Sequence, residues 1–159
     1  MQKPKNVYNK LKNLVIYDSQ FGNTEKIAQT IAKSIFGKVV RVADVDNTDL
    51  KDLDLLVVGS PTLGGRATVP LQKFLEQIPK GILNGVKVAT FDTRFSEKDV
   101  NFALRLLLKT IDYAAPKMIK ILIDKGGKQI TKPRGFIVRG KEGPLISGEL
   151  EKANVWIKE

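Results

Sequence analysis

Apolar residues fall along this chain in short dense runs, separated by segments in which they recur every three or four positions. Leu14-Val15-Ile16-Tyr17 is one such run, rich in β-formers and suited to a strand buried on both faces. Lys38 to Val42, Leu53 to Gly59, Val86 to Phe91 and Gly135 to Val138 predict four more strands. Between the first two, Ile27, Ile31 and Ile35 form one stripe with Ala28 and Ala32 beside it, which predicts a helix from Thr24 to Phe36, closed by Gly37. Val69 to Ile78 predicts a second helix, with Pro70 early and Leu71, Phe74, Leu75 and Ile78 on one face. Asp99 to Leu108 reads as a third. Pro116 opens a fourth that carries Met118, Ile119, Leu122 and Ile123 and stops at Gly126-Gly127. Leu150 to Ile157 is the last, turning Ala153 and either Trp156 or Ile157 inward. Strands alternating with helices predict an α/β fold, a parallel sheet covered on both faces.

Composition narrows the chemistry. The 159 residues include no cysteine and no histidine, so thiol nucleophiles, thiolate metal sites and histidine bases are all excluded. Chemistry is left to carboxylates, lysines, hydroxyls or a bound cofactor. One domain from residue 13 to 159 is expected, preceded by a basic extension over residues 1–12 with four lysines. No apolar segment precedes Leu14 and none is long enough to cross a membrane, so a soluble, cytoplasmic protein is expected. The net charge is +10, and Lys98 to Lys141 alone holds 11 basic and 3 acidic residues. Such a patch attracts nucleic acid, anionic lipid or an acidic protein, or simply solvates the surface.

Ligands bind an open α/β sheet at the carboxyl ends of its strands, which points to three loops. The first, Asp18-Ser19-Gln20-Phe21-Gly22-Asn23-Thr24, enters a helix. Backbone N–H groups, two hydroxyls and an amide suit an anion there, and the same residues also serve as ordinary caps. The second, Gly59-Ser60-Pro61-Thr62-Leu63-Gly64-Gly65-Arg66, lacks the Lys-Ser or Lys-Thr of a phosphate-binding Walker loop. It is a glycine turn able to approach a flat ligand, or a plain turn before a helix. The third, Phe91-Asp92-Thr93-Arg94-Phe95, gathers an aromatic, a carboxylate and a guanidinium, or ends the core with a surface ion pair.

Taken together in this order and spacing, Ser-x-x-Gly-Asn-Thr, Ser-Pro-Thr-x-Gly-Gly and Phe-Asp-Thr-Arg resemble the flavodoxins. The tail with Gly135-Phe136-Ile137-Val138, Glu142-Gly143-Pro144-Leu145 and Gly148-Glu149-Leu150-Glu151 is similar to a branch of flavodoxin-domain proteins. The resemblance spans Asn13 to Ile157. It implies a three-layer, doubly wound, five-stranded parallel sheet of flavodoxin-like type, FMN as cofactor, and electron transfer between redox partners without catalytic residues of the protein's own or a metal. It implies a phosphate site of Ser19, Asn23, Thr24 and the backbone of Gln20, Phe21 and Gly22. It implies a flavin ring between Pro61, Thr62, Leu63, Gly64 and Gly65 on one side and Asp92, Thr93, Arg94 and Phe95 on the other. Phe21 stands where flavodoxins often carry a threonine, and Leu63 where many place an aromatic ring. Phe95 lies near the position of the other stacking aromatic.

Many flavodoxins are acidic, whereas this chain is basic. A redox partner acidic at the contact is therefore expected, and a monomer or weak dimer. An FMN-dependent NAD(P)H:quinone or flavin reductase on the same fold is the alternative. Others are a flavin-free scaffold and a basic nucleic-acid-binding module. For the last, Gly140-Lys141-Glu142-Gly143 matches a GxxG spacing, but with 7% aromatics the chain lacks the basic–aromatic alternation of base-stacking surfaces.

Overall fold

The computed structural model describes residues 11–96, 103 and 113–159. Strand β1 (Asn13–Tyr17) lies inside a parallel sheet, second from one edge. β2 (Lys38–Arg41) flanks it on one side and β3 (Leu55–Pro61), then β4 (Lys87–Phe95), extend it on the other. The outermost position is shared by β5 (Lys128–Gln129), paired with the start of β4, and β6 (Arg134–Val138), paired with its end. The strand order is thus 2-1-3-4-5; the expected strand from Gly135 to Val138 is β6, and the two-residue β5 before it was not expected.

Period-two alternation within the strands sorts the core into two halves. Leu14, Ile16, Leu56, Val58 and Val88 face one way. They meet Leu71 and Leu75 of α2 (Val69–Gln77) and Met118, Ile119 and Leu122 of α3 (Ala114–Asp124). Val15, Val57, Ala89 and Phe91 face the other way, onto Ile27, Ala28 and Ile31 of α1 (Asn23–Ser34) and Ala153 and Trp156 of α4 (Glu149–Trp156). Each fully buried aliphatic side chain here contributes roughly 1.5–3 kcal/mol. Phe91, Phe136 and Trp156 meet edge to face, with ring centroids 5.9 to 6.2 Å apart. The Phe91 ring fits because residue 59 is glycine; a Cβ there would lie 2.0 Å from it.

Several boundaries move for physical reasons. β4 runs on to Phe95 because its polar end, Asp92 to Arg94, pairs with β6 on one side while Asp92 and Thr93 pair with Ser60 and Pro61 on the other. α3 begins two residues before Pro116, because Thr62 Oγ1 accepts from the Ala114 N–H and Asp92 Oδ2 from the Ala115 N–H. Two neighbouring loops thus cap this helix, and Pro116 takes its third position, where a missing N–H costs nothing. Ile123, expected inward, is half-exposed, and Trp156 rather than Ile157 is the deeply buried residue of α4. The helix expected over Asp99 to Leu108 lies outside the described residues apart from Ala103. Among the described residues no helix is long and apolar enough to cross a membrane.

Candidate functional site

Parallel pairing puts the ends of β1, β3 and β4 on one edge, where the order reverses between β1 and β3. A cavity of about 290 Å³ opens there. Ser19, Gln20, Phe21, Asn23, Thr24, Pro61, Thr62, Leu63, Gly64, Thr93, Arg94 and Phe95 line it, together with Val138 and Lys141. Three expected residues do not: Gly22, Gly65 and Asp92.

The first loop turns into α1 at Gly22, whose φ of +90° is left-handed and favours glycine. Its amide donates to Ser19 Oγ at 3.1 Å, which leaves the Ser19 hydroxyl proton free. Among the described residues the N–H groups of Gln20, Phe21, Asn23, Thr24 and Glu25 have no acceptor. They open the positive end of the helix toward the cavity. The Asn23 amide is partly engaged, donating to the Glu142 carbonyl at 3.0 Å. The Thr24 and Thr93 hydroxyls bond to each other at 2.8 Å.

Arg41, at the end of β2, holds this loop from outside. It donates to Asp18 Oδ1, the Ser19 carbonyl and Glu25 Oε2 at 3.0 to 3.2 Å, and lies over the Tyr17 ring. Tyr17 in turn donates to Glu25 at 2.9 Å. Burial and the neighbouring Glu25 carboxylate raise the Tyr17 pKa above its ordinary value. Asp18 also accepts from Thr68 Oγ1 at 2.6 Å, which ties the first loop to the base of the second.

The second loop is a tight turn. Leu63 and Arg66 exchange backbone hydrogen bonds of 2.8 and 3.1 Å across Gly64 and Gly65. These glycines have φ of +56° and +80°, the pair of positive angles that a type I′ turn requires. The turn lifts Leu63 into solvent, 40% exposed, opposite Phe95 at 41% and Phe21 at 46%. A Cβ on Gly64 would meet nothing within 4 Å, so there is open space beside this turn.

In the third loop Asp92 is fully buried and turned away from the cavity. Arg94 grips it with two bonds of 2.7 Å, Nε to Oδ1 and Nη2 to Oδ2. The guanidinium lies 3.5 Å from the centre of the Tyr113 ring, and a Cβ on Gly135 would strike it. Arg94 therefore lines the cavity with its charge already neutralised. The ligand-free reading of this loop holds in that Phe91 ends the core, but the Asp92–Arg94 ion pair is buried rather than at the surface.

Val138 and Lys141 were not expected at the site. They arrive because β6 pairs with the far end of β4, a long-range contact with no local mark in sequence. Arg41, Asp18 and Thr68 were likewise unassigned; only the alternation of strands hinted that Arg41 ends one beside the first loop.

The donor set fits FMN. Neutral hydroxyls and free N–H groups at a helix start suit a phosphate, and an apolar, half-exposed pair flanking open backbone suits a flat ring.

The family model for the flavodoxin domain matches residues 14–124. A flavodoxin of Aquifex aeolicus (strain VF5) is 38% identical over 139 residues, covering 82% of this chain and 75% of that protein. A flavodoxin of Clostridium beijerinckii is 37% identical over 84 residues, 48% of this chain and 60% of that one. Among solved structures, oxidised Flavodoxin 2 from Bacillus cereus superposes with a TM-score of 0.68 at 22% identity, covering 92% of this chain and 95% of that one. A flavodoxin from the domain Archaea gives 0.68 at 19% identity, over 94% and 100%. The chain belongs to the flavodoxin family, as an FMN-binding protein of electron transfer.

Proposed function

We propose that the first loop holds the FMN phosphate through Ser19, Thr24 and the N–H groups of Gln20, Phe21, Asn23 and Thr24, and that the ring lies between Leu63-Gly64 and Phe95. The observation that carries this reading is the single cavity in which free N–H donors at the start of α1 meet an apolar pair at the ends of β3 and β4. When bound, FMN supplies the one- and two-electron chemistry. The protein's residues hold, orient and shield it. The Thr24–Thr93 pair fixes the distance between phosphate loop and ring loop. Gly64 offers a backbone peptide free to turn toward the ring edge.

The exposed Phe21, Leu63 and Phe95 surround the mouth as an apolar contact for a redox partner. A net charge of +10 favours a partner acidic at that contact. Residues 13–159 act as one domain, residues 1–12 as a basic extension, and the protein works in the cytoplasm. Apoprotein titrated with FMN tests the site. Quenching of flavin fluorescence that weakens in Ser19→Ala and Thr24→Ala, and ring-band shifts altered in Phe95→Ala, support it. Unchanged binding in all three variants refutes it.

A further inference from the structure

We propose that Lys141 is the cation that faces the phosphate of bound FMN and sets the protein's preference for FMN over riboflavin. The proposal rests on the phosphate placement above and adds a residue to it.

A phosphate monoester carries about −1.5 to −2 charge at neutral pH, yet the first loop contains no lysine or arginine. Arg41, which braces this loop, is committed to Asp18 and Glu25, and Arg94, which lines the cavity, to Asp92. Among the described residues, Lys141 is the remaining cation lining the cavity. Among the described residues its ammonium has no ion pair and no hydrogen bond.

The backbone around Lys141 is fixed although its side chain is exposed. Arg139 N–H donates to the Pro144 carbonyl at 2.8 Å and Gly143 N–H to the Gly140 carbonyl at 3.0 Å, closing a turn with Lys141 at its tip. The next residue, Glu142, accepts the Asn23 amide at 3.0 Å. Gly143, at φ +99°, packs so tightly on Asn23 that a Cβ would lie 2.6 Å from its amide. Asn23 is the first residue of α1, so the turn is clamped against the end of the helix where the N–H donors are free. A flexible four-carbon stem then lets a compact charge reach the anion. Riboflavin has the same ring without the phosphate and gains nothing from that charge.

The test compares FMN and riboflavin binding to apoprotein by flavin fluorescence, at low and high salt. In Lys141→Ala the Kd for FMN is expected to rise about tenfold, with riboflavin held within about twofold and a shallower salt dependence for FMN. Lys141→Arg should retain the preference. Lys80→Ala, the same charge change at the opposite end of the strands, should leave it untouched. Equal changes for both flavins in Lys141→Ala, or none, overturn the proposal. If Ser19→Ala and Thr24→Ala erode the preference while Lys141→Ala does not, the phosphate placement stands and the role of Lys141 falls. If none of the three erodes it, the placement falls as well.

Discussion

The hydroxyls of Thr24 and Thr93, residues 69 positions apart, share a buried hydrogen bond of 2.8 Å that joins the start of α1 to the end of β4. Each hydroxyl has one proton, so one is consumed between them and the other remains for a ligand. Thr93→Val should lower stability by about 1 kcal/mol. The double variant Thr24→Val/Thr93→Val should lose less than the sum of the singles, because they remove one shared bond. Urea unfolding of the four proteins measures this coupling; strict additivity would contradict it.

Arg94 and Asp92 form a buried pair whose removal from one side strands a charge. Arg94→Leu should cost roughly 3–5 kcal/mol, far more than an exposed ion pair. Replacing both residues with leucine should recover part of the loss. Guanidinium unfolding curves decide it, and equal losses in the single and double variants would speak against the pair.

Arg41 sits half in solvent, so its ion pairs with Asp18 and Glu25 contribute under about 1 kcal/mol to stability. Its larger effect is on the shape of the first loop. Arg41→Met should leave the denaturation midpoint nearly unchanged while weakening FMN binding about five- to tenfold, read by flavin fluorescence. A large midpoint drop with intact binding would reverse this assignment.

Gly64 stands at φ +56°, where a non-glycine residue costs roughly 1–2 kcal/mol. Gly64→Ala should lower stability by about that amount, and Gly64→Asn by less. By stiffening the peptide beside the ring it should also move the one-electron potential of bound FMN on the order of 50 mV. Spectroelectrochemistry at constant ionic strength tests it, and an unmoved potential would remove Gly64 from the ring's environment.

Tyr17 is buried against Glu25, and that burial, with the carboxylate beside it, raises its pKa in the folded state. The folded protein therefore binds this proton more tightly than the unfolded chain does. The stabilisation is full below about pH 10, the ordinary tyrosine value, and is lost as pH rises through the higher folded-state value. Phenolate absorbance during an alkaline titration should show a late-titrating component that disappears in Tyr17→Phe. Identical titration of the variant and the parent would refute the assignment.

Much of this was legible in residues close in sequence. Ile27, Ile31 and Ile35 drew α1, and Leu14 to Tyr17 drew β1. The three ligand loops came together because parallel strands end on one side. Contacts spanning the chain left no such mark. Lys141 reaches the cavity through the β4–β6 ladder and the Asn23–Glu142 bond. Asp92 read as a ligand residue because the Ala115 amide that helps to bury it lies 23 positions further on, although its partner Arg94 stands two residues away. Pro116 marked a helix start, but the true start depends on acceptors from Thr62 and Asp92.

The division of the outermost strand has a consequence beyond the ligand. From β5 to β6 seven residues, Lys128 to Arg134, run alongside five, Lys87 to Phe91, and Pro133 offers no N–H there. An unbroken outer strand presents a regular row of donors and acceptors to any other sheet. Here that row is interrupted and flanked by Lys128, Lys132 and Arg134, while the opposite border is the four-residue β2. Both borders therefore carry features that disfavour the addition of a further strand.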